Sequence, residues 1–244
     1  MKRVLQNNGL GIVTFALFVL FLAGQSVAGW MTFSDQEKEH GGTPPGYTAY
    51  LTSAHFVEAT SENWESEFLQ MGMFVLFTVW LRQKGSPESK KVHGKEAVDR
   101  EPSSQGTPGS GNTRNTPAPV RMGGLALALY SHSLSITLLA LFVVSFMAHV
   151  WSGAIEYSQD QIAHGGEAIS ALGYLATSRL WFESFQNWQS ELLSVFTLAI
   201  LGIFLREKGS PESKPVDAPH DQTGASDDEE TTSIVGHRPM PRAA

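Results

Sequence analysis

Residues 81–92 read LRQKGSPESKKV, and residues 205–216 read LREKGSPESKPV. A polar sentence written twice in one chain is the mark of an internal repeat. Sliding the sequence against itself by the same offset aligns Asn8–Val92 with His132–Val216 without a gap, and roughly a third of the pairs are identical. ALFV at 16–19 matches ALFV at 140–143. HGG at 40–42 matches HGG at 164–166, and NWESE at 63–67 matches NWQSE at 187–191. One offset shared by apolar runs, loops and flanks points to duplication of a whole unit.

Each copy of the motif follows an apolar run. Leu10 to Trp30 contains no charged residue, and at about 1.5 Å per residue it spans about 30 Å, the thickness of a bilayer core. Its repeat partner lies within Gly123 to Trp151, where His132 and His149 are the ionisable groups. Phe68 to Leu81 and Leu192 to Leu205 are shorter, and each must borrow residues from its N-terminal flank to cross. That brings Glu67 and Glu191 into the span. The N-terminus, MKRVLQNN and an apolar stretch ending in SVAG, also has the form of a secretory signal cleaved after Ala28. Its partner, 134–154, lies mid-chain and cannot be such a signal, so the expectation is a retained membrane helix.

The fold class expected is therefore an all-α integral membrane protein. Four transmembrane helices come from two tandem, parallel helix-loop-helix repeats, with amphipathic interfacial helices in outer loops of about 35 residues. Repeat unit 1 covers 8–92, with membrane helices at about 10–30 and 62–82. Repeat unit 2 covers 121–216, with helices at about 125–152 and 186–206. Between them, 93–120 is rich in Gly, Pro, Ser and Thr and reads as a flexible linker. The acidic tail 217–244 reads as disordered. Of the 17 Lys and Arg residues, all but Lys38 and Arg179 precede the first membrane helix, lie between the second and third, or follow the fourth. The positive-inside rule places those segments in the cytoplasm.

Composition excludes several function classes. The chain of 244 residues has no cysteine, so disulfides and thiolate metal sites are absent. Its net charge is −7 and it carries no basic stripe, which argues against a nucleic acid partner. No catalytic motif is present, so no enzyme activity and no cofactor are expected.

The polar residues that fall on one face at the outer end of each short helix are Asn63, Glu67 and Gln70, and Asn187, Glu191 and Ser194. This stripe is the candidate ion site, with Glu67 and Glu191 as paired carboxylates. The bland reading gives both glutamates to helix N-termini, where an anion is favoured. Trp64, Trp181 and Trp188 are the interfacial anchors. His40 and His164 read as helix caps, not metal ligands, because each stands before two glycines and the nearby acids do not keep register. His149 and His132 lie at opposite ends of one helix and pair with Gln25 and Asn8, which excludes a bis-His haem.

The SPESK turns, the NWxSE stretches and the HG loops together resemble an uncharacterised bacterial family of duplicated membrane proteins, a domain of unknown function. The resemblance covers 8–216 and implies a bacterial inner-membrane location. It brings no activity and no site residues. The function expected is a non-enzymatic scaffold or envelope protein that binds the lipid bilayer and an unidentified protein partner. The alternative is a small channel or transporter built on the paired carboxylates. Oligomeric state is left open.

Overall fold

The computed structural model describes residues 2–103 and 116–224, and among these it is helical with no strand. The main helices are α1 (Lys2–Glu39), α3 (Ala54–Trp80), α6 (Ser133–Ala163) and α8 (Ser178–Phe204). One-turn helices α2 (Tyr47–Tyr50) and α7 (Ala171–Tyr174) sit in the loops, and α4 (Ala118–Met122) and α5 (Gly124–Ser131) precede α6. Three helices are long and apolar enough to cross a membrane: Arg3–Glu39 within α1, α6 and α8. Helix α3 matches α8 in length, but Glu58, Glu62, Glu65 and Glu67 make its first half too polar to qualify on composition.

Several ends fall at the spacing of the sequence match. α2, α3 and their counterparts α7 and α8 share bounds at that offset, as do the last residues of α1 and α6. The kink does too: Asn8 (φ −133°, ψ 15°) bends α1, and His132 (φ −117°, ψ 9°) separates α5 from α6.

Two compact units form, and they cut across the sequence match. Unit 1 comprises Met1–Glu65 and Val143–Phe185; unit 2 comprises Ser66–Phe142 and Gln186–Ala244.

In unit 1, α1 and α6 run past the expected membrane limits at Trp30 and Trp151. The intervening loops are therefore 40–53 and 164–177, much shorter than the 35 residues expected. Polar residues after the apolar run continue the helix because nothing stops it before His-Gly-Gly. There Gly41 and Gly165 take left-handed φ of 73° and 80°. Gly42 N–H then donates to Glu37 O (2.8 Å) and Gly41 N–H to Lys38 O (3.0 Å), and the same pair recurs at Gly166–Gln161 and Gly165–Ile162. This double bond satisfies orphan carbonyls at the helix end. His40 Nδ1 and His164 Nδ1 approach the Gln36 and Asp160 carbonyls at 2.9 Å each, in line with capping.

Tyr50 and Tyr174 are the buried residues of α2 and α7. Tyr174 packs with Val150, Ala154 and Leu180. Its ring lies so close to Gly153 that a methyl group there would sit 2.6 Å from the ring edge.

Unit 2 explains the repeated polar motif. Helices α3 and α8 end at Trp80 and Phe204, before the motif's glycine. Arg82 Nη1 donates to the carbonyls of Thr78, Val79 and Leu81, and Arg206 Nη1 does the same for Gly202, Ile203 and Leu205. A guanidinium thus caps each helix. Gly85 (φ 86°) and Gly209 (φ 88°) each sit inside the next turn, which Ser86 N–H to Gln83 O and Ser210 N–H to Glu207 O close. The serines complete it. Gln83 N–H donates to Ser89 Oγ and Glu88 N–H to Ser86 Oγ, and the second copy repeats both bonds at Glu207–Ser213 and Glu212–Ser210. Side-chain oxygens replace backbone partners in such turns. Glu88 lies against Glu212, and its carboxyl is pushed up to about 7 by burial and by that neighbouring acid.

Part of each segment expected to be flexible is ordered. In the linker, Glu96 and Asp99 cap a short 3-10 turn (Ala97–Asp99), and Lys90 pairs with Asp99. Residues 104–115 lie outside the described residues. In the tail, the buried Lys214 donates to the carbonyls of Pro219, His220 and Gln222. Thr223 Oγ1 accepts from Gly85 N–H, and Gly224 N–H donates to Ser86 O. Main-chain groups bound in this way hold 217–224 in place despite their composition; 225–244 lie outside the described residues.

Two predictions follow from this packing. Gly153→Ala forces the Tyr174 ring aside and costs about 1–3 kcal/mol, read as a lowered Tm of the detergent-solubilised protein. Glu88 binds its proton more tightly folded than unfolded. Its contribution to stability is therefore greatest below the ordinary glutamate range and falls as pH rises to about 7. Glu88→Gln should flatten that fall, so the variant's Tm exceeds the natural protein's at pH 8 by more than at pH 4.5.

Candidate functional site

Within unit 1, the buried positions of α3 are Glu58, Ser61 and Glu65, which recur at helical spacing on one face. Within unit 1 this face meets residues of α6, α7 and α8. His149 of α6 and Glu65 are both 0% exposed, and His149 Nδ1 lies 3.0 Å from Glu65 Oε2. An ionised carboxylate only accepts, so the imidazole proton resides on Nδ1. Ser184 of α8, itself buried, donates to the other Glu65 oxygen at 3.0 Å. Glu65 is therefore oriented from two sides.

The far side of the imidazole is different. His149 Nε2 is buried and makes no hydrogen bond among the described residues. It faces Glu183 Oε2 at 3.5 Å. Glu183 is held by Arg179 Nε (2.9 Å to Oε1) and by the Tyr174 hydroxyl (2.7 Å to Oε2). Glu58 Oε1 lies 3.5 Å from the same hydroxyl. Burial and the Glu183 carboxylate beside it raise the Tyr174 pKa well above the usual phenol range, so this hydroxyl acts as a donor.

When all are ionised, Glu58, Glu65 and Glu183 face one permanent cation, Arg179, which also stacks over Tyr157. A neutral imidazole with its lone pair toward carboxylates adds repulsion. A cation held at Nε2, Glu58 and Glu183 relieves both problems. The chemistry available is thus the binding of a positively charged species by two carboxylates and one imidazole. Glu183 is 19% exposed and gives the cluster access to the surrounding medium.

The residues singled out from sequence lie elsewhere on the same helices. Asn63 and Glu67 are exposed, and Asn63 Nδ2 donates to Ala59 O. Within unit 2, Gln70 and Glu191 border a cavity of about 260 Å³ together with Leu69, Met73, Phe142 and Trp188. Glu67 is near enough to Glu191 for their charges to interact. Ser194 is exposed and donates to Glu191 O, and Asn187 is partly buried. Trp64 and Trp181 are exposed at 40% and 38%, and Trp181 Nε1 donates to Leu175 O. Trp188 meets Phe142 edge-on at 6.1 Å between ring centres.

Sequence reading missed Glu58, Glu65 and Glu183 and gave His149 no partner. None of them has an identical counterpart in the other copy: Glu58 pairs with Phe182, Glu65 with Gln189, Glu183 with Ala59 and His149 with Gln25. The available signal was this set of charged residues unique to one copy. Removing one partner of a fully buried pair leaves the other uncompensated, at about 3–5 kcal/mol. Glu65→Ala should therefore lower the Tm of the solubilised protein well beyond Glu67→Ala, the exposed acid two residues on.

Neither a curated protein nor a solved structure matches the chain. A family model matches residues 1–225, nearly the whole sequence, and so the chain belongs to the family described as a domain of unknown function, DUF6766.

Proposed function

We propose that the protein is a small cation-handling membrane protein, a channel or transporter, whose working centre is the Glu58–Glu65–His149–Glu183 cluster. The observation that carries this reading is the fully enclosed His149, flanked by carboxylates on both sides. Ionisable groups inside membrane helices are costly, and they mark ion or substrate pathways.

On this reading the chain is a multi-pass protein of the bacterial inner membrane with four spans, in two tandem parallel repeats. Support comes from the sequence match and from the helix bounds that recur at its offset. The exposed faces of α1 carry Leu10, Phe15, Leu20 and Phe21, which suit lipid. Buried positions among the described residues are mostly polar or small, with Ser26, Ser145, Ser152 and Ser184 among them. Helices packed in lipid favour such residues, because apolar side chains gain little by turning inward there. The fourth span is α3, from about residue 62 to 82, with Glu58 and Glu65 turned away from the bilayer. Both termini and the linker are cytoplasmic by the distribution of Lys and Arg.

A second reading keeps the Glu67/Glu191 stripe as the site, and the cavity beside Gln70 and Glu191 favours it. The scaffold reading needs only the loops and tails and leaves the cluster without a task. Reconstituted vesicles loaded with ion-sensitive dyes separate the three. Flux of at least one cation is expected, lost in His149→Gln and kept in the double variant Glu67→Gln/Glu191→Gln. Loss only in the double variant moves the site to the stripe. No flux of any cation, with one stoichiometric protein recovered on pull-down, returns the scaffold.

A further inference from the structure

We propose that Glu58, His149 and Glu183 form a binding site for a divalent first-row transition metal, of which zinc is the representative. This rests on the cation-handling reading and names the cation. Among the described residues, these three bring one donor atom each to within 4.8 Å of the other two. The independent observation is the imidazole: His149 is 0% exposed, its Nε2 is without a hydrogen bond, and that atom is aimed at the carboxylates.

The surroundings suit a metal better than an organic cation. A metal-binding histidine usually donates its other N–H to a carboxylate, which fixes the ring and raises its basicity. Glu65 occupies that position at 3.0 Å from Nδ1, and Ser184 fixes Glu65 in turn. Glu183 Oε1 is committed to Arg179, which leaves Oε2 for the ion and for the Tyr174 hydroxyl. Three carboxylates against one guanidinium leave an excess of two negative charges when all are ionised, which a divalent ion cancels. Donor type narrows the metal. The imidazole disfavours magnesium and calcium, and the absence of thiolate or thioether donors disfavours copper(I). Donor distances to zinc of about 2.0–2.2 Å require the three side chains to draw inward slightly. Three protein ligands leave a coordination position for water or a transferable ligand, as a site that loads and unloads requires.

The test uses the full chain, purified in detergent and stripped with a chelator. Zinc is titrated by calorimetry, and cobalt(II) absorption in the visible range reports the donor set. The expected result is one equivalent of zinc that excess magnesium and calcium do not displace. Glu58→Gln and His149→Gln should each abolish binding. Glu65→Gln keeps the ligands but loosens the ring, and should weaken binding by about 10- to 100-fold. His40→Ala/His164→Ala, which removes two exposed imidazoles, should leave it unchanged. Circular dichroism establishes that each variant is folded; if His149→Gln is not, Glu58→Gln decides. No zinc binding by the natural chain, or binding that survives Glu58→Gln, overturns the metal site. Vesicle flux that depends on His149 without zinc binding overturns the metal and keeps the cation reading. Zinc binding lost in Glu58→Gln without flux keeps the metal and overturns transport.

Discussion

His149 has carboxylates on both sides of its ring and no solvent around it. That enclosure is the constraint on which unit 1 depends. The ring cannot shift without taking its hydrogen bond from the buried Glu65, and Glu65 cannot shift without releasing Ser184. Glu183 in turn needs Arg179 and the Tyr174 hydroxyl, so α7 must seat its tyrosine deep in the unit. Gly153 is the accommodation on α6 that lets it do so. A chain of single contacts thus couples four helices, and each link is expensive to break because low dielectric magnifies every unpaired charge.

Polar satisfaction governs unit 2 as well, by different means. Each of α3 and α8 ends on its own arginine, whose guanidinium covers three carbonyls. The turn beyond is knit by two serines and one left-handed glycine. Both copies keep Ser, Pro, Glu and Ser because every one of them has a place: hydroxyls on main-chain N–H groups, Pro87 against Gly202, Glu88 against Glu212. The motif is a structural element and recurs as such.

The long helices and the stop at His-Gly-Gly were legible because they depend on residues close in sequence; the apolar runs located α1 and α6 but not their full length. What could not be read was whatever depends on residues far apart. Arginine capping of the helix ends leaves no trace in spacing. The tail looked unstructured because its partners, Gly85 and Ser86, belong to the other half of the chain. The cluster was hidden for a further reason. Alignment of the copies draws attention to what they share, and here the charged residues that meet are the ones that diverged. On α3 the choice of face decided it: Asn63 and Glu67 lie on one side, Glu58 and Glu65 on another.

The docking of 217–224 onto the first motif has a consequence for synthesis. The Gly85 amide is bonded to a residue 138 positions downstream. At translation rates of about 5–20 residues per second, that partner is made roughly 7 to 28 seconds later. Throughout this interval the first turn has its internal serine bonds but lacks its cover. The Arg82 cap must therefore hold the end of α3 without that cover until residues 223 and 224 are made.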